Sequence, residues 1–312
     1  MRFFIAGATG FIGRHLTRKS IAEGHQVTVL TRSKAKATKQ FSDLEKIEIV
    51  EGDPVSSGDW QNHVKGADVI INLAGEPVDG KRWNAQFKQK IMDSRVDSTR
   101  FLVETVASLD QDERPSAFIC ASGTDFYPLF GDHDLDADDK VDESHSSGDS
   151  FLARVCKHWE REAFEAKDLG LRVVVMRTGL VAGPGGGFDK LVTQFRLFAG
   201  GSIGSGKQWT SWIHLEDAVN AYFFAATKES IKGPCNLVSP ENARYKELAK
   251  ALASAMGRPS WLPVPKAALK LALGDFANHI IQGRRTFPKK LLDHGYEFKH
   301  PDVSNAMKTF QW

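Results

Sequence analysis

Tyrosine is scarce in this chain of 312 residues: four, against twenty phenylalanines and seven tryptophans. Cysteine is scarcer. Cys120, Cys156 and Cys235 are odd in number and widely spaced, which excludes a disulfide framework and a thiolate metal centre. Reduced thiols in a cytoplasm fit them. No apolar run reaches the 18 residues of a membrane-crossing helix, and Met1-Arg2-Phe3 reads as the start of a core strand, not of a secretory leader. No sign of charge dominates: 41 basic and 39 acidic side chains leave a formal +2. That balance gives no reason to expect nucleic acid or a membrane surface as partner. The ten histidines show no metal-ligand spacing, so no metal site is expected. There is no internal repeat and no low-complexity tract.

What the chain does have starts at residue 3. Phe3-Phe4-Ile5-Ala6, an apolar strand, runs straight into Gly7-Ala8-Thr9-Gly10-Phe11-Ile12-Gly13, and an amphipathic helix (Ile12, Leu16, Ile21) follows. Three glycines at spacing three between a strand and a helix form a dinucleotide-binding turn. The first allows the tight turn, the second lets backbone approach a pyrophosphate, and the third lets helix and strand pack closely. The N–H groups opening the helix near Phe11 and Ile12, with Thr9 beside them, then face the phosphates along the helix dipole.

Short β-rich apolar runs recur at Phe3–Ala6, Val27–Leu30, Ile47–Val50, Val69–Leu73, Ala117–Ala121, Val173–Arg177 and Cys235–Val238. Helical periods lie between them, clearest at Asn84–Leu109 and Ser150–Lys167. Such alternation predicts an α/β fold with a parallel sheet covered on both faces. Two segments break it. Gly131–Asp149 is acidic (Asp132, Asp134, Asp136, Asp138, Asp139, Asp142, Glu143) and reads as a solvated loop. Gly183–Gly206 is glycine-rich; it leaves the sheet, and a return is expected at Trp212-Ile213-His214. Residues 1–182 and 210–238 are thus assigned to a dinucleotide-binding domain. Residues 183–209 and 239–312 are assigned to a small, mostly helical lobe that covers a substrate.

The second strand discriminates between dinucleotides. NAD-binding folds usually end it in Asp or Glu, which bonds the ribose 2′-hydroxyl. Here it ends Leu30-Thr31-Arg32-Ser33, then Lys34 and Lys36. A carboxylate would repel a 2′-phosphate, whereas a guanidinium pairs with it bidentately. Arg14, after the third glycine, is placed to add a second charge. The expected cofactor is NADP(H). Asp53 suits an adenine-edge contact, and Leu73-Ala74-Gly75 a small-residue wall beneath the nicotinamide ribose.

Taken in order, these segments resemble the extended short-chain dehydrogenases/reductases, and within them the atypical "epimerase family" group. Some members of that group carry a cell-division-inhibitor (SulA) label. The matching residues span nearly the whole chain. They are Gly7–Gly13; Asn72-Leu73-Ala74-Gly75-Glu76-Pro77; Arg82-Trp83; Ser94-Arg95-Val96; Phe151–Cys156 with Trp159-Glu160; and Arg177-Thr178-Gly179-Leu180-Val181. Further matches are Gly204-Ser205-Gly206, Trp212-Ile213-His214, Pro288–Leu291 and Gly295–Phe298. The resemblance implies a Rossmann-type doubly wound parallel sheet with a small C-terminal lobe. It also implies NADP(H) contacts at Thr31, Arg32, Leu73, Ala74, Glu76 and Arg95 and near Leu180 and Val181. A homodimer through the helices at 84–109 and 150–167 follows by the same analogy.

Typical members pair a Tyr with a Lys four residues later on one helix, where the ammonium lowers the phenol pKa. Aligned on Trp159-Glu160, this chain has Leu152 and Cys156 instead. Four residues beyond Tyr127, Tyr222, Tyr245 and Tyr296 stand Gly131, Ala226, Ala249 and His300, so no Tyr-x-x-x-Lys exists anywhere. The serine that orients a carbonyl survives as Ser122. Tyr127 is the expected substitute proton donor, although Asp125 and Pro128 replace the family's usual glycines around it. Cys156 reads as core, Lys157 as a solvated helix residue, and His214 as a structural hydrogen-bonder. Arg82, Trp83, Trp209 and Trp212 are candidate walls of the substrate pocket. Gly201–Lys207 mimics a phosphate loop, but Gln208 replaces the Mg²⁺-binding hydroxyl and no strand precedes it. Two functions stay open: a reductase or epimerase acting on a small molecule, and a non-catalytic NADP(H)-bound sensor or regulator.

Overall fold

The computed structural model describes residues 1–312 except 132, 133 and 135–137. Two of the acidic positions singled out above, Asp132 and Asp136, therefore lie outside the described residues. Seven strands form one parallel sheet: β1 Arg2–Ala6, β2 Gln26–Thr31, β3 Ile47–Glu51, β4 Val69–Asn72, β5 Ala117–Gly123, β6 Arg172–Thr178 and β7 Gly233–Leu237, in the order β7-β6-β5-β4-β1-β2-β3. The order reverses beside β1, and a doubly wound sheet opens its binding crevice there, at the carboxyl ends of the strands.

Each apolar run became a strand because both faces of the sheet are covered. Phe3 and Ile5 face one core with Leu16, Tyr222 and Leu291, whereas Phe4 and Ala6 face another with Trp60, Leu102 and Trp159. Burial on both sides removes the polar alternation that a half-exposed strand would show. The two long helical periods are the helices Ala85–Ala107 and Phe151–Glu165, which pack on each other. Their starts are set by Asn84 and Ser150, whose side chains accept from the N–H groups of Phe87 and Ala153.

Two expectations need correcting. Trp212–His214 does not rejoin the large sheet; it pairs in parallel with Leu180–Ala182 in a separate two-stranded ribbon. The chain returns to the main sheet only at β7. The acidic segment is not wholly solvated either: Glu143 turns inward, accepting from the N–H groups of Asn236 (2.9 Å) and Lys290 (3.1 Å).

A third core stands apart from the sheet. Phe188, Val192, Phe195, Trp212, Tyr245, Leu248, Leu252 and Met307 build it, so residues from the glycine-rich excursion and the C-terminal helices share one interior. No helix among the described residues is long and apolar enough to cross a membrane.

Candidate active site

The glycine turn sits at the floor of a cleft of about 780 Å³. Gly7 has φ +79°, and a Cβ there would stand 2.6–2.8 Å from the Leu73 and Ala74 backbone. Only glycine lets β1 and β4 end this close together. A Cβ at Gly13 would overlap the Gly7 carbonyl oxygen and Ala8, so the Phe11–Ala22 helix is seated directly on the turn. That helix has Gly10 as its N-cap and no side-chain cap, which leaves its first N–H groups directed outward for an anion.

The cleft brings together Gly7, Thr9, Gly10, Thr31, Arg32, Asp53, Leu73, Ala74, Gly75 and Glu76. Arg32 is exposed at its wall and carries no hydrogen bond or ion pair to any described residue. Asn72 lies beneath Ala74: its Oδ1 accepts the Ala74 N–H at 3.0 Å while its amide nitrogen donates to Thr99 at 2.9 Å. This buried amide fixes the wall at Leu73-Ala74-Gly75.

Sequence reasoning missed the opposite wall. Pro54 and Val55 follow Asp53 into the cleft, and Gln86, Gln89, Lys90, Asp93, Ser94 and Asp97 line it from the Ala85–Ala107 helix. Their three-to-four spacing marks one polar helix face directed into the site. Ser94 Oγ accepts the Glu76 N–H at 3.0 Å, and Lys90 pairs with the Glu76 carboxylate at 3.0 Å.

Several expected contacts point elsewhere. Arg14 folds over the Phe11 ring toward the Pro184 carbonyl and does not line the cleft beside Arg32, because Phe11 itself fills the hollow under Gly185 and Gly186. The Ile12 side chain is half-buried against the main core, so only its backbone N–H, at the uncapped start of the helix, is placed for the phosphates. Arg95 lies behind Gly75, donating to the Glu76 and Ile91 carbonyls (2.9 and 3.1 Å) with its guanidinium over Trp159. Burial pulls its pKa below the usual arginine range. Leu180 and Val181 belong to the two-stranded ribbon and pack into cores.

Ser122 and Tyr127 are both inside. Ser122 Oγ donates to Glu160 Oε1 at 2.7 Å. Glu160 is also held by Arg177, whose Nη1 donates to the Tyr127 hydroxyl at 2.8 Å; that hydroxyl in turn donates to Asn236 Oδ1 at 2.7 Å. Tyr127 is fully buried, and burial pushes its pKa up to about 12. With donor and acceptor capacity both used inside the protein, it has no proton to offer a substrate. The proton-donor assignment is corrected accordingly: Tyr127 is a link in a buried chain. Leu152 and Cys156 are buried too, and burial raises the Cys156 thiol to about 12, which leaves it no nucleophilic character.

The four pocket candidates separate. Trp212 is fully buried in the third core, its Nε1 donating to the Glu241 carbonyl, and forms no pocket wall. Trp209 is clasped between the guanidinium groups of Arg244 (3.8 Å) and Arg285 (4.7 Å) in a separate depression. Arg82 is exposed near Gly274. Trp83 joins an aromatic cluster with Phe151, Phe276 and His279 over the start of the Phe151–Glu165 helix. His214 makes two structural bonds, accepting the Glu216 N–H at Nδ1 (3.0 Å) and meeting Thr309 at Nε2 (2.9 Å). His214, Glu216 and His300 do come together, with one ligand atom from each within 4.8 Å of the others. A cation there would compete with both bonds and with the Lys299 ammonium on Glu216.

Comparison with known proteins agrees with this geometry. The sequence profile of the NAD dependent epimerase/dehydratase family matches residues 3–237, and that of a domain of unknown function, DUF1731, matches 264–310. The chloroplastic SDR39U1 homolog of Arabidopsis thaliana, an epimerase family protein, is 38% identical over 313 residues, covering 99% of this chain and 86% of its own. The epimerase family protein YfhF of Bacillus subtilis is 34% identical over 307 residues, covering 98% and 97%. The crystal structure of human epimerase family protein SDR39U1 with NADPH superposes with a TM-score of 0.86 at 30% identity, covering 99% of both chains. Fold, cleft and full-length similarity agree: the chain belongs to the NAD dependent epimerase/dehydratase family.

Proposed function

We propose that this protein binds NADP(H) in the glycine-turn cleft and carries out a reductase or epimerase step on a small molecule. One observation carries the choice of cofactor. Arg32, unpaired at the cleft wall, stands at the end of β2 where an NAD-binding fold would place a carboxylate. The human relative crystallised with NADPH supports the same reading.

The cradle fits such a ligand. A Cβ at Gly7 would fill the approach to Leu73 and Ala74, and the uncapped helix start offers N–H groups to a pyrophosphate. In this reading Gly10 and the helix N-terminus hold the pyrophosphate. Arg32 grips the 2′-phosphate with Thr31 beside it, and Asp53 meets the adenine edge. Leu73, Ala74 and Gly75 back the nicotinamide ribose. When bound, the dinucleotide supplies or removes a hydride. Residues 1–182 and 210–238 would then serve the cofactor, and residues 183–209 and 239–312 would cover the substrate. A cytoplasmic setting is proposed from the three free cysteines, all buried. A homodimer is proposed through the Ala85–Ala107 and Phe151–Glu165 helices.

The test is a screen of purified protein and NADPH against carbonyl metabolites, read as loss of nicotinamide absorbance. Substrate-dependent loss is expected. Tight NADPH binding with no loss for any carbonyl would remove the reductase step, leaving an epimerase, which restores its cofactor in each turnover, or a cofactor-bound sensor.

A further inference from the structure

A family site without its tyrosine and lysine still needs a group that exchanges a proton with the substrate. Aligned on Trp159-Glu160, Leu152 and Cys156 occupy those two positions. Cys156 Sγ lies 3.7 Å from the Gly123 carbonyl oxygen at the end of β5. A Cβ on Gly123 would stand 3.6 Å from both Cys156 Sγ and the backbone nitrogen of Asp125. Asp125 therefore lies directly beside the lysine position. It is also a residue that departs from the family's usual glycine.

Asp125 holds one partner of catalytic chemistry. Its Oδ1 bonds His279 Nδ1 at 2.9 Å, and Arg284 Nη2 reaches the same oxygen at 3.1 Å while its Nη1 donates to the Thr124 carbonyl. Burial alone would raise the Asp125 carboxyl, but Arg284 and His279 outweigh it and hold the group ionised. A carboxylate on Nδ1 fixes a histidine's ring orientation and tautomer, leaving Nε2 for chemistry. The His279 side chain is 8% exposed, yet Nε2 makes no hydrogen bond to any described residue. The ring stands 5.6 Å from Trp83, and Trp83 stands 5.2 Å from Phe151, the first residue of the helix that carries Leu152 and Cys156.

We propose that His279 is the acid–base residue of this site and Asp125 its positioning partner, with Nε2 exchanging the proton that the missing tyrosine would handle. The inference rests on the NADP(H) reading above. In the reducing direction the carbonyl carbon gains a hydride and the π pair of its C=O bond moves to oxygen. That oxygen takes the Nε2 proton and becomes a hydroxyl. The imidazole is left neutral, with Nδ1–H still on Asp125, and regains its proton from water; oxidation runs the same step backwards. The charged groups facing His279 are Asp125 and Arg284, with Lys88 and Asp275 beyond Trp83 and Phe276.

The experiment follows the imidazole of the whole protein by ¹⁵N NMR, with His279→Gln identifying the resonance; nicotinamide fluorescence confirms NADPH binding and isothermal titration calorimetry confirms NADP⁺ binding. Titrations are run with NADPH and with NADP⁺. A histidine that faces the nicotinamide feels its positive charge in one state only, so its midpoint should be lower with NADP⁺ by about half a unit or more. Asp125→Asn should add a second tautomer. Equal midpoints with both bound cofactors would overturn the proposal and leave the NADP(H) reading standing, since a purely structural lobe contact is indifferent to redox state. No binding of either nucleotide would overturn that reading, and the proposal with it.

Discussion

Arg177 grips Glu160 through two nitrogens, Nε to Oε1 at 2.9 Å and Nη2 to Oε2 at 2.8 Å, and both side chains are only 5% exposed. Ser122 adds a third bond to the same carboxylate, and the Phe126 ring lies 3.5 Å beneath the guanidinium. β5, β6 and the Phe151–Glu165 helix are tied together at this one carboxylate.

Breaking this pair leaves a buried charge without its partner. Glu160→Ala should destabilise the fold by about 3–5 kcal/mol. Glu160→Ala combined with Arg177→Met should recover much of that loss, because no unpaired charge then remains. Urea unfolding of the two variants checks it. A double variant as unstable as the single one would show that packing, not charge, dominates.

Gly13→Ala probes the seating of the first helix. The added methyl meets the Gly7 carbonyl and Ala8 backbone, which have no flexible end to yield. A loss of about 1–3 kcal/mol in stability is expected, together with weakened NADPH binding. Thermal unfolding and a nucleotide titration measure the two effects, and an unchanged Tm would contradict the close packing.

His214 should make stability depend on pH. Burial, and then the neighbouring His300, lower its pKa to about 4, so the folded protein holds it neutral. The unfolded chain takes up a proton near pH 6.5, below which it binds more protons than the folded state. The stability from this group is therefore present above pH 6.5 and lost as pH falls toward 4, by roughly 3 kcal/mol in all. His214→Asn keeps a capping side chain at the helix start but cannot titrate. Its unfolding free energy should fall less steeply over that window; parallel curves for the two proteins would remove His214 as the cause.

The fold was legible because its signals are local. Every strand of the large sheet announced itself as a short apolar run, and Gly7, Gly10 and Gly13 carry a backbone requirement that no other residue meets. Arg32 and Asp53 were legible as positions at strand ends. Side chains whose direction is set by distant partners were not. Tyr127 is turned inward by Arg177, 50 residues on, and Asn236, 109 residues on. Trp212 looked like a pocket wall until the helices after residue 243 closed over it. Glu160 read as part of a family match, with nothing local to reveal its charge partner on β6. The cleft face of the Ala85–Ala107 helix left a trace, the polar stripe Gln86, Lys90, Asp93 and Asp97, which only the neighbouring cleft makes meaningful. His279 and Asp125 left none, being 154 residues apart.

The central claim, that this cleft selects NADP(H) through Arg32, is tested by measuring Kd for NADPH and NADH with the native protein and with Arg32→Asp. The substitution replaces a bidentate phosphate partner by a repelling carboxylate, so NADPH should weaken by about two orders of magnitude and NADH by less than about threefold. Equal weakening of both nucleotides would contradict the claim.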